Sequence, residues 1–391
     1  MSDQLETQSS IVKRIIDGSL TIDSVGEFEN LLKVFPNDPG LHRAFADLLV
    51  RHKSFDAAVD AYRAAAKHFI EAGMGLQAMV SKISEWRVVR PSHQEGKAFH
   101  VSLCTGIAED TPVQRFLSKM TYPEMVAFMV KLVRIRVRAG RVLKKFRDVH
   151  NDMYFVVSGA LKETTYQPLA EGEKVHKKTT ADLVEDDFFG DIYPFDGDRV
   201  SQSDVETITR AELVKISKPR LMMVCEKYPH VEHLVDELYK YKTRSEASGE
   251  ISSPAVRKTA RHQLPTKVSM KVFREEIGKT PLFLNGFTDD MSLGGACIIL
   301  GATYQTGPSG DMVGRKVKVE MGLPSAAVKL HILGTIVWSK EVSDEGKTST
   351  VVGIKFEEMT DPDRELLEEY CRGSDGEQNL IWSLWESLVK K

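Results

Sequence analysis

The sequence predicts a multidomain α+β protein, in which a helical N-terminal domain precedes two β-rich domains. Its length of 391 residues is more than one hydrophobic core usually organises. In the first third, apolar residues recur every three or four positions and Gly and Pro are confined to the breaks, which is typical of helices. Near Lys131 the period changes to two, and short strands separated by Gly-rich turns follow.

Composition and charge exclude several classes of protein. The net charge of -3 lacks the electrostatic footprint of a nucleic-acid binder. No segment reaches the roughly 18 apolar residues of a membrane span, and the acidic start differs from a signal peptide. The four cysteines, Cys104, Cys225, Cys297 and Cys371, have no CxxC spacing, which favours reduced thiols over disulfides or zinc. We therefore expect a cytoplasmic protein with no metal, no membrane and no nucleic-acid partner.

Residues 1–110 are predicted to form one helical domain. From Leu41 to about Ser92 the chain has the small and large residues of a helix hairpin, in which alanines let two helices approach closely: Ala46, Phe55, Ala58, Tyr62 and Ala65. This segment resembles a tetratricopeptide repeat, although about three repeats are normally needed for a stable stack. The resemblance implies a protein partner for the helical domain, and structural support is the alternative.

The middle region, residues 111–242, is predicted to contain strands, in which apolar and polar residues alternate, and then a helix from Pro219 to about Tyr241. Its segments DMYFVVSGALK and DDFFGDI resemble the cyclic-nucleotide-binding fold, a β-roll followed by helices. The resemblance implies that a glycine and an acid open a short phosphate-binding helix. In this family the acid accepts hydrogen bonds from the ribose 2′-hydroxyl and an arginine pairs with the cyclic phosphate.

Comparison with the family's binding site, position by position, gives four residues that are candidates for binding a cyclic mononucleotide. Gly190 and Asp191 occupy the first two positions, with aspartate in place of the usual glutamate. Arg199 is the nearest arginine, whereas counting back from the next strand places Ser201 at the arginine position. The sequence thus leaves two readings open: a site for cyclic AMP or cyclic GMP, or a retained fold with an altered site.

A polar Ser/Gly/Pro segment, residues 243–256, is predicted to be a linker. Short strands with Gly-rich turns follow in residues 257–372 and predict a small β-barrel that ends in a helix from about Asp361 to Cys371. Residues 373–391 are predicted to add a C-terminal helix. We expect the apolar face of this helix to pack either on the barrel or on a partner. That face carries Leu380, Ile381, Leu384, Trp385 and Leu388.

Two short motifs in the C-terminal region have spacings suited to ligand binding. Arg257 and Arg261 form RxxxR directly after the linker, and Asp290, Ser292 and Gly295 form DxSxxG before an apolar strand. The spacing of Asp290 and Ser292 predicts that they lie on the same side of an extended segment. Together they resemble the PilZ domain, a six-stranded barrel that is the bacterial receptor module for cyclic di-GMP. Guanidinium groups suit phosphates and guanine edges, while a carboxylate can accept from guanine N–H donors. The glycine permits close approach of the backbone.

These resemblances imply a cytoplasmic bacterial signalling protein that is not an enzyme, with cyclic di-GMP as its ligand. No P-loop, GxSxG, HExxH or cyclase motif occurs in the sequence. We expect Arg257 and Arg261 to fold over a ligand seated on Asp290 and Ser292, which changes the arrangement of the domains. One alternative is an integrator that also binds cyclic AMP or cyclic GMP. The other is a protein-interaction adaptor with degenerate nucleotide sites.

Overall fold

The computed structural model describes residues 10–107, 109–167, 177–197, 199–248, 266–273, 281–300, 312–322, 329–344 and 347–372. Two compact units divide the chain. Residues 54–258 form the first unit together with residues 1–8, and residues 9–53 and 259–391 form the second. The predicted C-terminal helix of residues 373–391 lies outside the described residues.

Eleven helices lie in the described part of the chain, and most begin where the sequence offers a capping side chain or a proline. They are α1 (Ile11–Asp17), α2 (Val25–Val34), α3 (Pro39–Arg51), α4 (Phe55–Glu71), α5 (Gly75–Val88), α6 (His93–Gly106), α7 (Pro112–Ser118), α8 (Tyr122–Lys131), α9 (Lys218–Lys227), α10 (Pro229–Ser248) and α11 (Asp361–Arg372).

Fourteen strands lie in the described part of the chain. They are β1 (Val133–Val137), β2 (Val142–Lys144), β3 (Asp152–Ser158), β4 (Leu161–Gln167), β5 (Lys177–Leu183), β6 (Phe188–Phe189), β7 (Ser203–Thr207), β8 (Ala211–Ser217), β9 (Lys267–Val272), β10 (Leu282–Ser292), β11 (Gly295–Leu300), β12 (Lys316–Gly322), β13 (Lys329–Asp344) and β14 (Lys347–Met359). The mixed α+β class predicted from the sequence is confirmed.

The first unit is a β-sandwich with helices on one side. Its two antiparallel sheets have the strand orders β1-β8-β3-β6 and β2-β7-β4-β5. A small apolar cluster with Tyr154, Val205 and Leu213 fills the roll, whereas the opposite face of β3, with Phe155, packs in the larger core that the helices share. Helix α10 continues to Ser248, seven residues beyond its predicted end. The predicted linker therefore begins inside this helix.

The second unit contains a closed six-stranded barrel with the strand order β10-β11-β14-β13-β12-β9. This confirms the six-stranded barrel predicted for the C-terminal region. Inward-facing side chains such as Met270, Val319 and Ile354 fill its interior, because alternate residues of each strand face the core. Helix α11 packs against the same core through the buried Leu367.

The N-terminal helices divide differently from the predicted single domain of residues 1–110. Helices α1 to α3 contact one another and belong to the barrel unit, whereas α4 pairs with α5 in the roll unit. The reason is their packing. The apolar face of α2, with Phe28 and Val34, shares a core with the barrel residues Trp338 and Val351. The alanine-rich face of α4, with Ala65, belongs to the core of the roll unit.

None of the helices within the described ranges combines the length and the apolar composition needed to cross a lipid bilayer.

Candidate functional sites

The DxSxxG motif lies on the hairpin between β10 and β11, whose turn is Leu293-Gly294. A β-bulge at Asp289 shifts the register between Thr288 and Asp290. Such a bulge inserts one residue and reverses which side chains face the core. The bulge therefore directs Asp290 and Ser292 to the outer face of the barrel, on the same side of the strand, as their spacing predicted.

Both acidic side chains at the bulge contact the start of helix α1. The backbone N–H of Ile11 donates to Asp289 Oδ2 over 2.7 Å, and that of Val12 donates to Asp290 Oδ2 over 3.3 Å. Amide groups at a helix start have no partner within the helix, so carboxylates satisfy them well. Asp290 is completely buried as a result.

The second polar residue of the motif contacts the end of helix α2. Ser292 Oγ lies 3.4 Å from the carbonyl oxygen of Val34 and 3.3 Å from that of Gly295, either of which can accept its one proton, and it accepts from the N–H of Gly294 over 3.2 Å. A β-carbon on Gly295 would lie 2.8 Å from Val34 Cγ1 and 2.3 Å from the carbonyl oxygen of Ile354. Glycine is therefore required at this motif position by the fold itself.

A row of neighbouring residues crosses four strands beneath helix α2. Asp290 pairs with Cys297 on β11, Cys297 with Gly353 on β14, and Gly353 with Trp338 on β13. Cys297 and Trp338 are buried in the core that the barrel shares with α1 to α3. We call residues 10–36 the cover segment, because they bury this outer face of the barrel.

Two polar contacts also join the cover segment to strand β13. Trp338 Nε1 donates to Glu27 Oε1 over 3.2 Å, and Lys340 Nζ donates to the carbonyl oxygen of Thr21 over 2.6 Å. Sequence reasoning missed this association, although α2 carries apolar residues at helical spacing that needed a partner. The other predicted ligand residues, Arg257 and Arg261, lie outside the described residues.

In the roll unit, Asp191 is held by two groups of the chain itself. Lys144 Nζ lies 2.9 Å from Asp191 Oδ2, and Ser201 Oγ donates to the same oxygen over 2.9 Å. Burial alone would raise the pKa of Asp191, but the charge of Lys144 and these hydrogen bonds hold that pKa below its usual value. The structure thus brings together Asp191 and Ser201, two of the predicted residues.

A second carboxylate completes this buried cluster. Glu163 accepts from Ser203 Oγ over 2.6 Å and pairs with Lys242 Nζ on α10 over 3.0 Å and with Lys144 Nζ over 3.4 Å. Burial opposes ionisation of Glu163, yet Lys242 and Lys144 lower its pKa overall. The side chain of Lys144 is fully buried. Sequence reasoning missed both lysines, because only the tertiary fold brings β2 and α10 to Asp191.

The two remaining predicted residues have separate positions. Gly190 has φ +127°, and a β-carbon there would lie 2.4 Å from the carbonyl oxygen of Asp152. Its own carbonyl oxygen accepts from Tyr239 Oη over 2.7 Å. Arg199 is half-exposed and lies 3.8 Å from Asp196. The residues described between β6 and β7 contain no helix, so the short helix that the resemblance implied is not found there.

Beside this cluster lies an open cavity of about 610 Å³. Aromatic and charged side chains line it: Asp191, Tyr193, Pro194, Arg199, Val200, Gln202, Asp236, Tyr239 and Lys240. One of these residues is Asp191, whose Oδ2 already contacts Lys144 and Ser201. A cyclic mononucleotide that used this carboxylate for its ribose would compete with two existing contacts.

Two further carboxyl groups, the buried Asp186 and the half-buried Asp187, precede strand β6. Burial raises the pKa of each to about 6. Asp186 Oδ2 accepts from Gln114 Nε2 on α7 over 2.8 Å, and Asp187 Oδ2 accepts from the N–H of Val184 over 2.8 Å. The contact of Asp186 joins the roll to α7, whereas that of Asp187 is local to the loop before β6.

Comparison with known protein families identifies both β-rich regions. A family model described as PilZ domain matches residues 255–373, and one described as cyclic nucleotide-binding domain matches residues 134–228. The chain therefore contains a PilZ domain preceded by a cyclic nucleotide-binding domain, in the predicted order. A comparison with curated protein sequences found no match.

Solved structures share similarity with a third of the chain. The catabolite activator protein of Thermus thermophilus is 17% identical with a TM-score of 0.29, over 36% of this chain and 61% of that one. The N-terminal domain of a transcriptional regulator from Streptomyces coelicolor A3(2) is 12% identical with a TM-score of 0.28, over 38% and 99%. A cyclic nucleotide-binding domain from Methylobacillus flagellatus is 11% identical with a TM-score of 0.28, over 34% and 72%. Identities this low indicate nothing about ligands, and the chain spans about three fifths of the Thermus protein.

Proposed function

We propose that this protein is a non-enzymatic cytoplasmic receptor for cyclic di-GMP in a bacterium. The observation that carries the proposal is the DxSxxG motif on one hairpin of a PilZ barrel, with Asp290 and Ser292 on the same outer face. A carboxylate can accept from the N1–H and N2–H donors of guanine, and a serine hydroxyl adds a short polar contact. Arg257 and Arg261 are the proposed partners of the phosphates and guanine edges.

Calorimetric titration of the full chain with cyclic di-GMP tests the proposal. We expect binding at micromolar or tighter affinity. Substitution of Arg257→Ala or Arg261→Ala should weaken it by about 2–4 kcal/mol each, since each removes a charge-assisted contact with a partly desolvated anion.

The matched control is Lys258→Ala, which removes a positive charge from the same segment without changing the RxxxR spacing. This variant should bind as the wild type does. Unchanged affinity in the Arg257→Ala/Arg261→Ala double variant, or an equal loss in the lysine variant, would contradict the assignment of these two arginines.

The proposed output is a change in the arrangement of the domains when the ligand binds. A ligand shifts such an equilibrium only by its difference in affinity for the two states. Small-angle scattering of the full chain with and without cyclic di-GMP would test this, with the Arg257→Ala/Arg261→Ala variant as control. Identical scattering at saturation would contradict a domain rearrangement. A protein partner that binds the N-terminal helices remains part of the proposal.

For the roll, we propose that the fold is retained with an altered site and that it does not bind cyclic AMP or cyclic GMP tightly. The supporting observation is that Lys144 and Ser201 already engage Asp191. The integrator alternative requires a ligand to displace at least one of these contacts. Titration with each cyclic mononucleotide distinguishes the two, because a nanomolar dissociation constant that Arg199→Ala abolishes would support the integrator.

A further inference from the structure

The cover segment and the proposed ligand use the same two side chains. Asp290 Oδ2 accepts from the N–H of Val12, and Ser292 Oγ lies 3.4 Å from the carbonyl oxygen of Val34. Both side chains are buried, at 0% and 7% exposure. A guanine that donates hydrogen bonds to Asp290 can reach this completely buried carboxylate only where the cover segment and its Val12 amide have moved away.

The overlap extends beyond hydrogen bonds. Val34 Cγ1 would lie 2.8 Å from a β-carbon on Gly295, and its carbonyl oxygen 3.3 Å from one on Gly294. Helix α2 thus lies in van der Waals contact with the glycine backbone that a flat purine would approach. No ligand atom fits between these surfaces while α2 remains in place.

We propose that the cover segment, residues 10–36, is an intramolecular competitor of cyclic di-GMP, so that docking of this segment and binding of the ligand exclude each other. The proposal rests on the function proposed above and concerns the regulation of that same site. Ligand binding releases α1 and α2 from the barrel and exposes the apolar face of α2, with Phe28, Leu31 and Val34. The released face is the signal that the ligand produces.

Competition of this kind lowers the apparent affinity by the fraction of protein whose site is open. Any change that weakens docking without touching the ligand contacts must therefore tighten binding. Such a change is available at Val34, which is fully buried against the barrel and belongs to the cover segment alone. A charge at position 34 is tolerated when the segment is released into water and costly when it is docked.

The experiment is calorimetric titration of full-length wild type and Val34→Asp with cyclic di-GMP. We expect at least about tenfold tighter binding by the variant, equivalent to about 1.4 kcal/mol. Gly26→Asp is the matched control, because it adds the same residue to the same helix where a β-carbon meets nothing within 4 Å. This control should bind as the wild type does.

The outcomes separate the two proposals. Tighter binding by Val34→Asp alone supports competition. Equal affinities for wild type and Val34→Asp overturn competition and leave the receptor proposal intact. Absence of binding by all three proteins overturns the receptor proposal and with it the regulation proposed here.

A covalent lock provides a second test that does not depend on destabilising the protein. A β-carbon on Gly353 would lie 3.3 Å from Val34 Cγ2, so cysteines at these two positions are suitable for an attempted disulfide crosslink. In Val34→Cys/Gly353→Cys, with the neighbouring Cys297 changed to Ala, the oxidised protein should lose cyclic di-GMP binding and the reduced protein should regain it. Equal binding in both states, with the crosslink verified by mass spectrometry, would overturn the proposal.

Discussion

The indole N–H of Trp338 on the barrel strand β13 donates to the carboxylate of Glu27 on helix α2, over 3.2 Å. The two residues are 311 positions apart in the sequence. Trp338 is 2% exposed, so most of its surface is removed from water by the barrel and the cover segment. This contact joins the cover segment to the barrel beside the apolar core that the two share.

Substitution of Trp338→Phe should lower the free energy of unfolding of the barrel unit by about 1–3 kcal/mol, because it removes buried apolar surface and a hydrogen-bond donor. Chemical denaturation followed by near-ultraviolet circular dichroism measures the change. Glu27→Gln keeps an acceptor oxygen for the indole and should change stability by less than about 0.5 kcal/mol. A larger loss in Glu27→Gln than in Trp338→Phe would show that charge, and not packing, stabilises this contact.

Two adjacent acids should have opposite effects on cyclic di-GMP binding. Asp289→Ala removes the acceptor of the Ile11 amide but no motif residue, so it should weaken docking of the cover segment and tighten binding by about 5–30-fold. Asp290→Ala removes a proposed ligand contact and should weaken binding. Calorimetric titration of both variants measures the two effects. Weaker binding by Asp289→Ala would refute the competition between segment and ligand, and tighter binding by Asp290→Ala would refute the ligand contact, because that variant also loses the acceptor of the Val12 amide.

Removal of the buried ammonium of Lys144 should strongly destabilise the roll unit. Lys144→Met leaves the carboxylates of Asp191 and Glu163 without their shared partner, and a broken buried pair typically costs about 3–5 kcal/mol. Denaturation of Lys144→Met, Asp191→Asn and the double variant forms a thermodynamic cycle. We expect the double variant to lose less than the sum of the single variants. Additive losses would show that the pair does not interact.

The buried carboxyl of Asp186 should contribute more to the stability of the roll unit in mild acid than at neutral pH. Its pKa is raised from 3.8 to about 6, so the folded protein binds this proton more tightly than the unfolded chain does. This contribution is complete below about pH 4 and is lost as the pH rises through 6, a total of up to about 3 kcal/mol. Asp186→Asn keeps an acceptor for Gln114 and removes the charge.

The variant should therefore be more stable than the wild type at pH 7, with a difference that shrinks as the pH falls towards 4. Urea denaturation at several pH values between 4 and 7.5 measures this difference. Asp187→Asn provides a comparison at the neighbouring carboxyl, whose pKa is also about 6. If the difference in stability is constant across this range, the pKa of Asp186 is the same in the folded and the unfolded protein, and the prediction is wrong.

Local patterns in the sequence predicted the helical first third of the chain and the two β-rich regions that follow it. Period-two alternation and Gly-rich turns predicted the strands, because alternate side chains of a strand face opposite sides of a sheet. The spacing of Asp290 and Ser292 predicted that they share one side of β10, and the structure agrees. Strand periodicity and the side of a strand on which a residue lies depend on residues that are close in the sequence, so they can be read from one sequence.

The partners of these elements were decided only by the tertiary structure. Periodicity identifies α2 as amphipathic but does not say which surface its apolar face covers, and that surface, around Trp338, lies more than 300 residues away. In the same way, Asp191 was predicted as a ligand residue from its motif, whereas folding brings Lys144 from β2 to its carboxylate. Burial and charge pairing act between residues that are close in space, so a sequence alone determines which residues need a partner and the fold determines which partner they receive.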